Sequence, residues 1–351
     1  MAYTTIDNPE LYFQTKTYTG TGSSHAITLD GSEDMQPDWV WIKRRNSAGG
    51  NMTTDVIRGV TKTLITNENG AEQTFSNGLT AFGSDGFTVG SEDGFNKSSD
   101  TFVAWNWKAG GSASSNSNGS ITSSVSASTD AGFSISTFTS PGSGTFTFGH
   151  GLSSAPKVVI LKRRDGSQNW IVGHDSAGWG YWLKLNDTDA KLSNTSMWQN
   201  TAPSSSIVSL DTSQIGTSNT FVAYCFAEKQ GYSKFGSYTG TSSQVFIYTG
   251  FKPKFILIKK SSEGASWHLF DTSRTVSNGG NQLNKILFPN SSNAESDDAY
   301  NYVDAVSNGF RCFSGPSGQG TETNKNGHTF IYIAFSESSF VNSNGIPNNA
   351  R

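Results

Sequence analysis

One short design is written three times in this chain. Pro37-Asp38-Trp39-Val40-Trp41-Ile42-Lys43-Arg44-Arg45 opens with a proline, runs apolar for four residues and ends basic. It returns as Pro156-Lys157-Val158-Val159-Ile160-Leu161-Lys162-Arg163-Arg164 and as Pro253-Lys254-Phe255-Ile256-Leu257-Ile258-Lys259-Lys260. A short run that is apolar at successive positions fits a central β-strand covered on both faces. A proline is tolerated at the first position of such a strand, where the missing N–H costs little. A chain built on this repeat is made of related units, and specific recognition belongs in whatever differs between them.

Other landmarks keep step with the repeat. Tyr18-Thr19-Gly20-Thr21-Gly22, Phe138-Thr139-Ser140-Pro141-Gly142 and Tyr238-Thr239-Gly240-Thr241 each read as an opening strand that runs into a turn. An aspartate follows the strand lysine by 12 residues at Asp55, 13 at Asp175 and 12 at Asp271. An arginine comes three residues later at Arg58 and Arg274, with Gly178 in the second copy. Trp170 and Trp267 precede two of these aspartates, and Asn51 takes that place in the first copy. The copies close on Thr101-Phe102-Val103-Ala104-Trp105-Asn106-Trp107, Thr220-Phe221-Val222-Ala223-Tyr224-Cys225-Phe226 and Thr329-Phe330-Ile331-Tyr332-Ile333-Ala334-Phe335. Ser84-Asp85-Gly86-Phe87 recurs as Ser307-Asn308-Gly309-Phe310.

A period near 110 residues is too long for a solenoid repeat or propeller blade and has the size of one small sandwich. The expectation is an all-β protein of three tandem, related β-sandwich modules of jelly-roll or lectin-like kind. Their spans are 18–109, 133–228 and 235–337. Residues 1–17 form a lead-in or anchor, 110–132 a flexible Gly/Ser-rich linker, and 338–351 a C-terminal tail. The 38 glycines and the Ser, Thr and Asn runs agree with short strands joined by polar turns.

A formal charge of −3 lacks the basic excess of a nucleic-acid binder. No apolar run reaches the roughly 18 residues of a membrane span, and residues 1–20 lack the charged start and apolar core of a secretory signal. No nucleic-acid or membrane partner is expected. Cys225 and Cys312 are too few for a disulfide framework and read as small buried apolar residues.

Each candidate for chemistry has a plainer reading beside it. The basic strand ends would suit phosphate, sialic acid or a carboxylate partner. Their repeated spacing reads first as structural, pairing with Asp55, Asp175 or neighbouring carboxylates. Asp55/Arg58 and Asp271/Arg274, with Asp175, read as turn locks rather than a ligand clamp. His25, His150, His174, His268 and His328 show no metal-ligand spacing, and no nucleophile motif accompanies them. No catalytic residue, metal or cofactor is therefore expected. Glu33-Asp34, Asp187/Asp189 and Asp297-Asp298 would suit a glycosidase pair or calcium, but read as solvated surface. Trp179, Tyr181, Trp182 and Trp198 cluster in the second copy alone. They form either a platform for stacking on glycans or an interface between domains or subunits.

The motifs Met1-Ala2-Tyr3-Thr4-Thr5-Ile6, Pro37-Asp38-Trp39-Val40-Trp41-Ile42-Lys43, Ser84-Asp85-Gly86-Phe87 and Phe102-Val103-Ala104-Trp105-Asn106-Trp107 resemble virion structural proteins of marine tailed bacteriophages. So do Phe221-Val222-Ala223-Tyr224-Cys225-Phe226-Ala227-Glu228 and the closing Asn349-Ala350-Arg351. The resemblance implies a non-enzymatic, lectin-like component of a tail fibre, spike or capsid decoration, located on the virion surface after synthesis in the host cytoplasm. Its partners would be other virion proteins and further copies of itself, a trimer being favoured, with host surface glycans as a further partner. The alternatives are a receptor-binding lectin for host envelope glycans and, behind it, a polysaccharide-degrading enzyme.

Overall fold

Strands that are apolar on both faces need cover on both, and the fold supplies it in three related ways. The computed structural model describes residues 4–274, 281–297, 303–314, 320–342 and 344–347, and is all-β with several antiparallel sheets. Residues 1–3, Asp298 and 349–351, cited above, lie outside the described residues. Each repeat contributes an opening strand (Phe13–Thr19, Phe133–Thr139, Ser233–Thr239) and a spine strand (Trp39–Arg44, Val158–Arg163, Phe251–Lys260). Each also contributes a turn strand (Asn51–Asp55, Ile171–His174, Trp267–Asp271) and a closing strand (Thr101–Trp107, Thr220–Phe226, Thr329–Ser339).

In all three sheets these strands lie in the order opening, closing, spine, turn. The register agrees as well: Trp39 pairs with Trp107, Val158 with Phe226, and Phe255 with Phe335, each two residues past the strand's proline.

The two-residue period of a strand sends alternate side chains to opposite faces. Val40 and Ile42, Val159 and Leu161, and Ile256 and Ile258 face outward into three separate cores. There each main sheet is backed by a smaller one. These are built on His25–Thr28 with Gly86–Val89, on Thr145–Gly149 with Ile207–Asp211, and on Gln244–Tyr248 with Gly309–Phe313. Gly86 and Gly309 sit at equivalent points. A Cβ on either would meet the carbonyl oxygen of Ile27 at 2.0 Å or of Ile247 at 2.1 Å, so only glycine fits.

The opposite faces do something that tandem, separate modules would not do. Trp39, Trp41, Trp105 and Trp107 join Val158, Ile160, Tyr224 and Phe226, and Phe255, Leu257, Ile333 and Phe335, in one shared core. Trp39 stacks on Tyr224 at 4.3 Å, Phe226 meets Phe335 at 5.7 Å, and Phe335 stacks on Phe13 at 5.4 Å. Each sheet thus touches both others.

Four boundaries drawn from the sequence are corrected. Residues 110–132 are no flexible linker. Ser114–Asn116 and Ser123–Ser128 extend the second sheet beyond Phe133–Thr139, with Val125 buried and the Ser123 hydroxyl donating to the Gly149 carbonyl at 2.7 Å. Small polar side chains suit an edge strand, where the backbone supplies the bonds. The opening strands reach back to Phe13 and Ser233, into the lead-in and past the expected start at 235. The last strand runs to Ser339, into the expected tail.

The strand lysines explain the repeated polar end. Lys43, Lys162 and Lys259 are fully buried, and none pairs with the aspartate 12 or 13 residues on. Each ammonium donates to the carbonyl six residues ahead (Gly49 at 2.6 Å, Gln168 at 2.7 Å, and Ala265). Each also donates to a carbonyl in another copy: Lys43 to Ser292 at 2.9 Å, Lys162 to Asn69 at 3.0 Å, and Lys259 to Thr188 at 2.8 Å. The third copy therefore holds the first, the first holds the second, and the second holds the third. Backbone bonds follow the same cycle, Gly49, Gln168 and Ala265 N–H donating to Ser292, Asn69 and Thr188 carbonyls.

Burial lowers all three ammonium pKa values to about 8. A Lys162→Met variant leaves two buried carbonyls without this donor while relieving that desolvation. It is expected to lose about 2 kcal/mol of stability in denaturant titration, and no loss would contradict the role of the ring.

Candidate functional site

The Asp-x-x-Arg pairs lie at the seams between copies. Asp55 accepts the backbone N–H groups of Ile57 at 3.1 Å and Arg58 at 2.9 Å, and its other oxygen takes Arg58 Nε at 2.5 Å. Across the seam, the Tyr224 hydroxyl donates to Asp55 at 2.8 Å. Arg58 continues to Glu72 at 3.2 Å, and Glu72 receives Arg164 in a two-pronged pair at 3.0 and 3.1 Å. The seam between third and first copies repeats the chain. Asp271 holds Arg274 and accepts Trp105 Nε1 at 2.9 Å, Arg274 meets Glu295 at 2.9 Å, and Glu295 receives Arg45 at 2.9 and 3.0 Å.

Of the strand-end arginines, Arg45 and Arg164 thus pair with carboxylates of the neighbouring copy, while Arg44 and Arg163 pair with Asp100 and Asp165 of their own; none pairs with Asp55 or Asp175. Forked guanidinium–carboxylate pairs of this kind are the strong, geometrically specific ones.

At the seam between second and third copies every member but the aspartate changes together. Gly178 replaces the arginine, Lys191 the glutamate, Ser261 the strand-end arginine and Ile333 the aromatic donor. The backbone bond persists, Lys191 N–H to Ser261 O at 2.9 Å, matching Glu72 to Arg164 and Glu295 to Arg45. Asp175 turns elsewhere, to Lys157 at 2.7 Å and Trp179 Nε1 at 3.0 Å.

His174 occupies this seam, fully buried, with Nε2 3.1 Å from the Tyr332 carbonyl and Nδ1 accepting the Ser176 N–H at 3.2 Å. Neutral imidazole suits both contacts. His268 lies by the Ser266 carbonyl at 3.1 Å and against Phe288.

The tryptophan cluster separates. Trp179 is 7% exposed and Trp198 0%, packed edge to face at 5.5 Å in the second outer core. Neither offers a face to a sugar, so the four-residue platform is corrected. Tyr181 is exposed with Lys191 over its ring at 4.1 Å, and Trp182 is partly buried against the same core. Trp170 and Trp267 donate across seams, to Ile65 O at 3.0 Å and Lys184 O at 2.8 Å. Asn51 in their place donates to Ser291 O at 2.9 Å.

Asp187 and Asp189 both pair with Lys184, and Asp297 with Lys285. Among the described residues no group of three His, Cys, Asp or Glu is placed to hold a metal, and no helix is long and apolar enough to cross a membrane. Cys225 and Cys312 are free and buried, and burial pushes both thiols up to about 12.

One surface stands apart from this network, and no motif pointed to it. The outer small sheet of the third copy bears a groove of about 810 Å³ lined by Gln244, Phe246, Asn281, Ser307, Asn308 and Arg311. Phe246 is 47% exposed, and Tyr248, two residues along the same strand face, is 54% exposed. Phe246 stands opposite Arg311 in register, and Arg311 opposite Asp304.

The repeat provides the control. The equivalent cross-strand pair is Ala26 with Thr88 in the first copy and Thr147 with Ser209 in the second. Small residues suffice there, so folding does not demand a phenylalanine and an arginine. Comparing outward positions between copies would have found this site. Comparing shared motifs could not.

A family model described as a domain of unknown function, DUF7483, matches residues 8–339, and the chain belongs to that family. No curated protein and no solved structure matches it.

The His174 seam predicts an acid response. The unfolded imidazole takes its proton near pH 6.5, whereas burial lowers the folded value to about 4. Between those values the unfolded chain binds more protons, so stability falls as pH drops through this window, by roughly 3 kcal/mol from this group. Denaturant titrations at pH 7 and pH 4 should show His174→Gln losing much less than wild type; equal losses would contradict the assignment.

Proposed function

Starting from a family without an assigned activity, we propose that this chain is a non-enzymatic structural protein on the surface of a tailed phage particle. It would serve as tail fibre, spike or capsid decoration, contributing to assembly and host attachment. The observation that carries the reading is where the reactive side chains go. The Asp–Arg pairs, Glu72, Glu295, His174 and the strand lysines, which an enzyme would keep in a cleft, are spent on joining one copy to the next. The resemblance of the strand motifs to virion proteins supports the location, and an interlocked β-body suits a part that bears load.

Attachment would act through many weak contacts multiplied by copy number. Because the inner faces are already mutually covered, assembly with virion proteins or into a trimer would use the outer sheets and loops. A lectin function is favoured as a second reading by the exposed aromatic and amide groove of the third copy.

Imaging of intact particles labelled with an antibody to this chain tests the proposal. Label on the particle surface is the expected result. Label confined to unassembled protein in infected lysates would overturn it.

A further inference from the structure

Of the arginines among the described residues, Arg44, Arg45, Arg58, Arg163, Arg164 and Arg274 all stand in ion pairs within 4.0 Å. Arg311 does not: it is exposed, and its nearest acid in register, Asp304, forms no ion pair with it. A solvent-facing guanidinium beside Phe246 and near Tyr248 is a combination that neither other copy carries.

We propose that the outer-sheet groove of the third copy binds a saccharide chain bearing a carboxylate. The two aromatic residues lie on one strand face, their backbone positions about 7 Å apart as alternate residues. They offer flat apolar surfaces to the C–H faces of successive sugar units. The Arg311 fork takes the sugar carboxylate through two parallel N–H···O bonds. Gln244, Asn281 and Asn308 offer donors and acceptors to hydroxyls, and Asp304 offers acceptors.

A protein partner would ask for an apolar centre with a polar rim. Here amides and a cation are interleaved with the rings, which is the chemistry of a polar ligand with flat apolar faces. Phe246 and Tyr248 are held outward because Ile247 between them is anchored in the outer core, so the site is set by the strand rather than by a loop.

The site names the ligand class for the attachment reading and rests on it only for its biological use. Titration calorimetry on the full chain, with oligogalacturonate, oligomannuronate and sialyllactose as acidic probes and maltohexaose as the neutral one, decides it. At least one acidic probe should bind in preference to maltohexaose. Phe246→Ala and Arg311→Gln should each weaken binding at least tenfold with an unchanged melting temperature, and Tyr181→Ala should leave it intact. No binding of any acidic probe, binding that survives both substitutions, or preference for maltohexaose would overturn the proposal. A chain absent from particles that still binds through Arg311 refutes the attachment reading alone. A chain present on particles that binds no acidic probe refutes this site alone.

Discussion

The structure depends on the burial of three sheet faces against one another. Each main sheet is apolar on both sides, and its own small sheet covers only the outer one. The inner face, carrying Trp39 and Trp105 in one copy and Phe255 and Phe335 in another, has no cover except the other two sheets. A single copy would expose this surface to water, at a cost set by its apolar area. The repeat is therefore a closed set of three sheets rather than a string of beads.

Closure explains why the seams are built as they are. A shared apolar core is nondirectional and would tolerate sliding. The lysine ring and the Asp–Arg–Glu–Arg chains are directional and fix each copy against the next. Buried charged groups are costly unless fully partnered. Where Ile333 removes the aromatic donor, the arginine, the glutamate and the strand-end arginine are absent too. The seam with His174 is bonded by fewer charges, and burial of its neutral imidazole makes it sensitive to acid.

Much of this was legible in the sequence. The apolar runs, the proline starts and the shared closing strands marked the main sheets, because a two-residue period with both faces buried leaves a near-continuous apolar signature. The seam partners were hidden. Arg164 and Glu72 are 92 residues apart, and Arg45 and Glu295 are 250 apart. Only the fold brings such groups together; Asp55, nearer to Arg45 in sequence, is taken by Arg58 instead.

Residues 110–132 misled through composition, since serine-rich edge strands satisfy their backbone without apolar side chains. Trp179 and Trp198 misled because tryptophan serves a core as readily as a surface. The groove at Phe246 and Arg311 carries no repeated motif because it lies where the copies differ.

The three copies share one core and so cannot fold apart. Differential scanning calorimetry of the whole chain tests this most directly. A shared core predicts a single transition whose calorimetric and van't Hoff enthalpies agree. Separate transitions, each with about a third of the total enthalpy, would show three independent modules and contradict it.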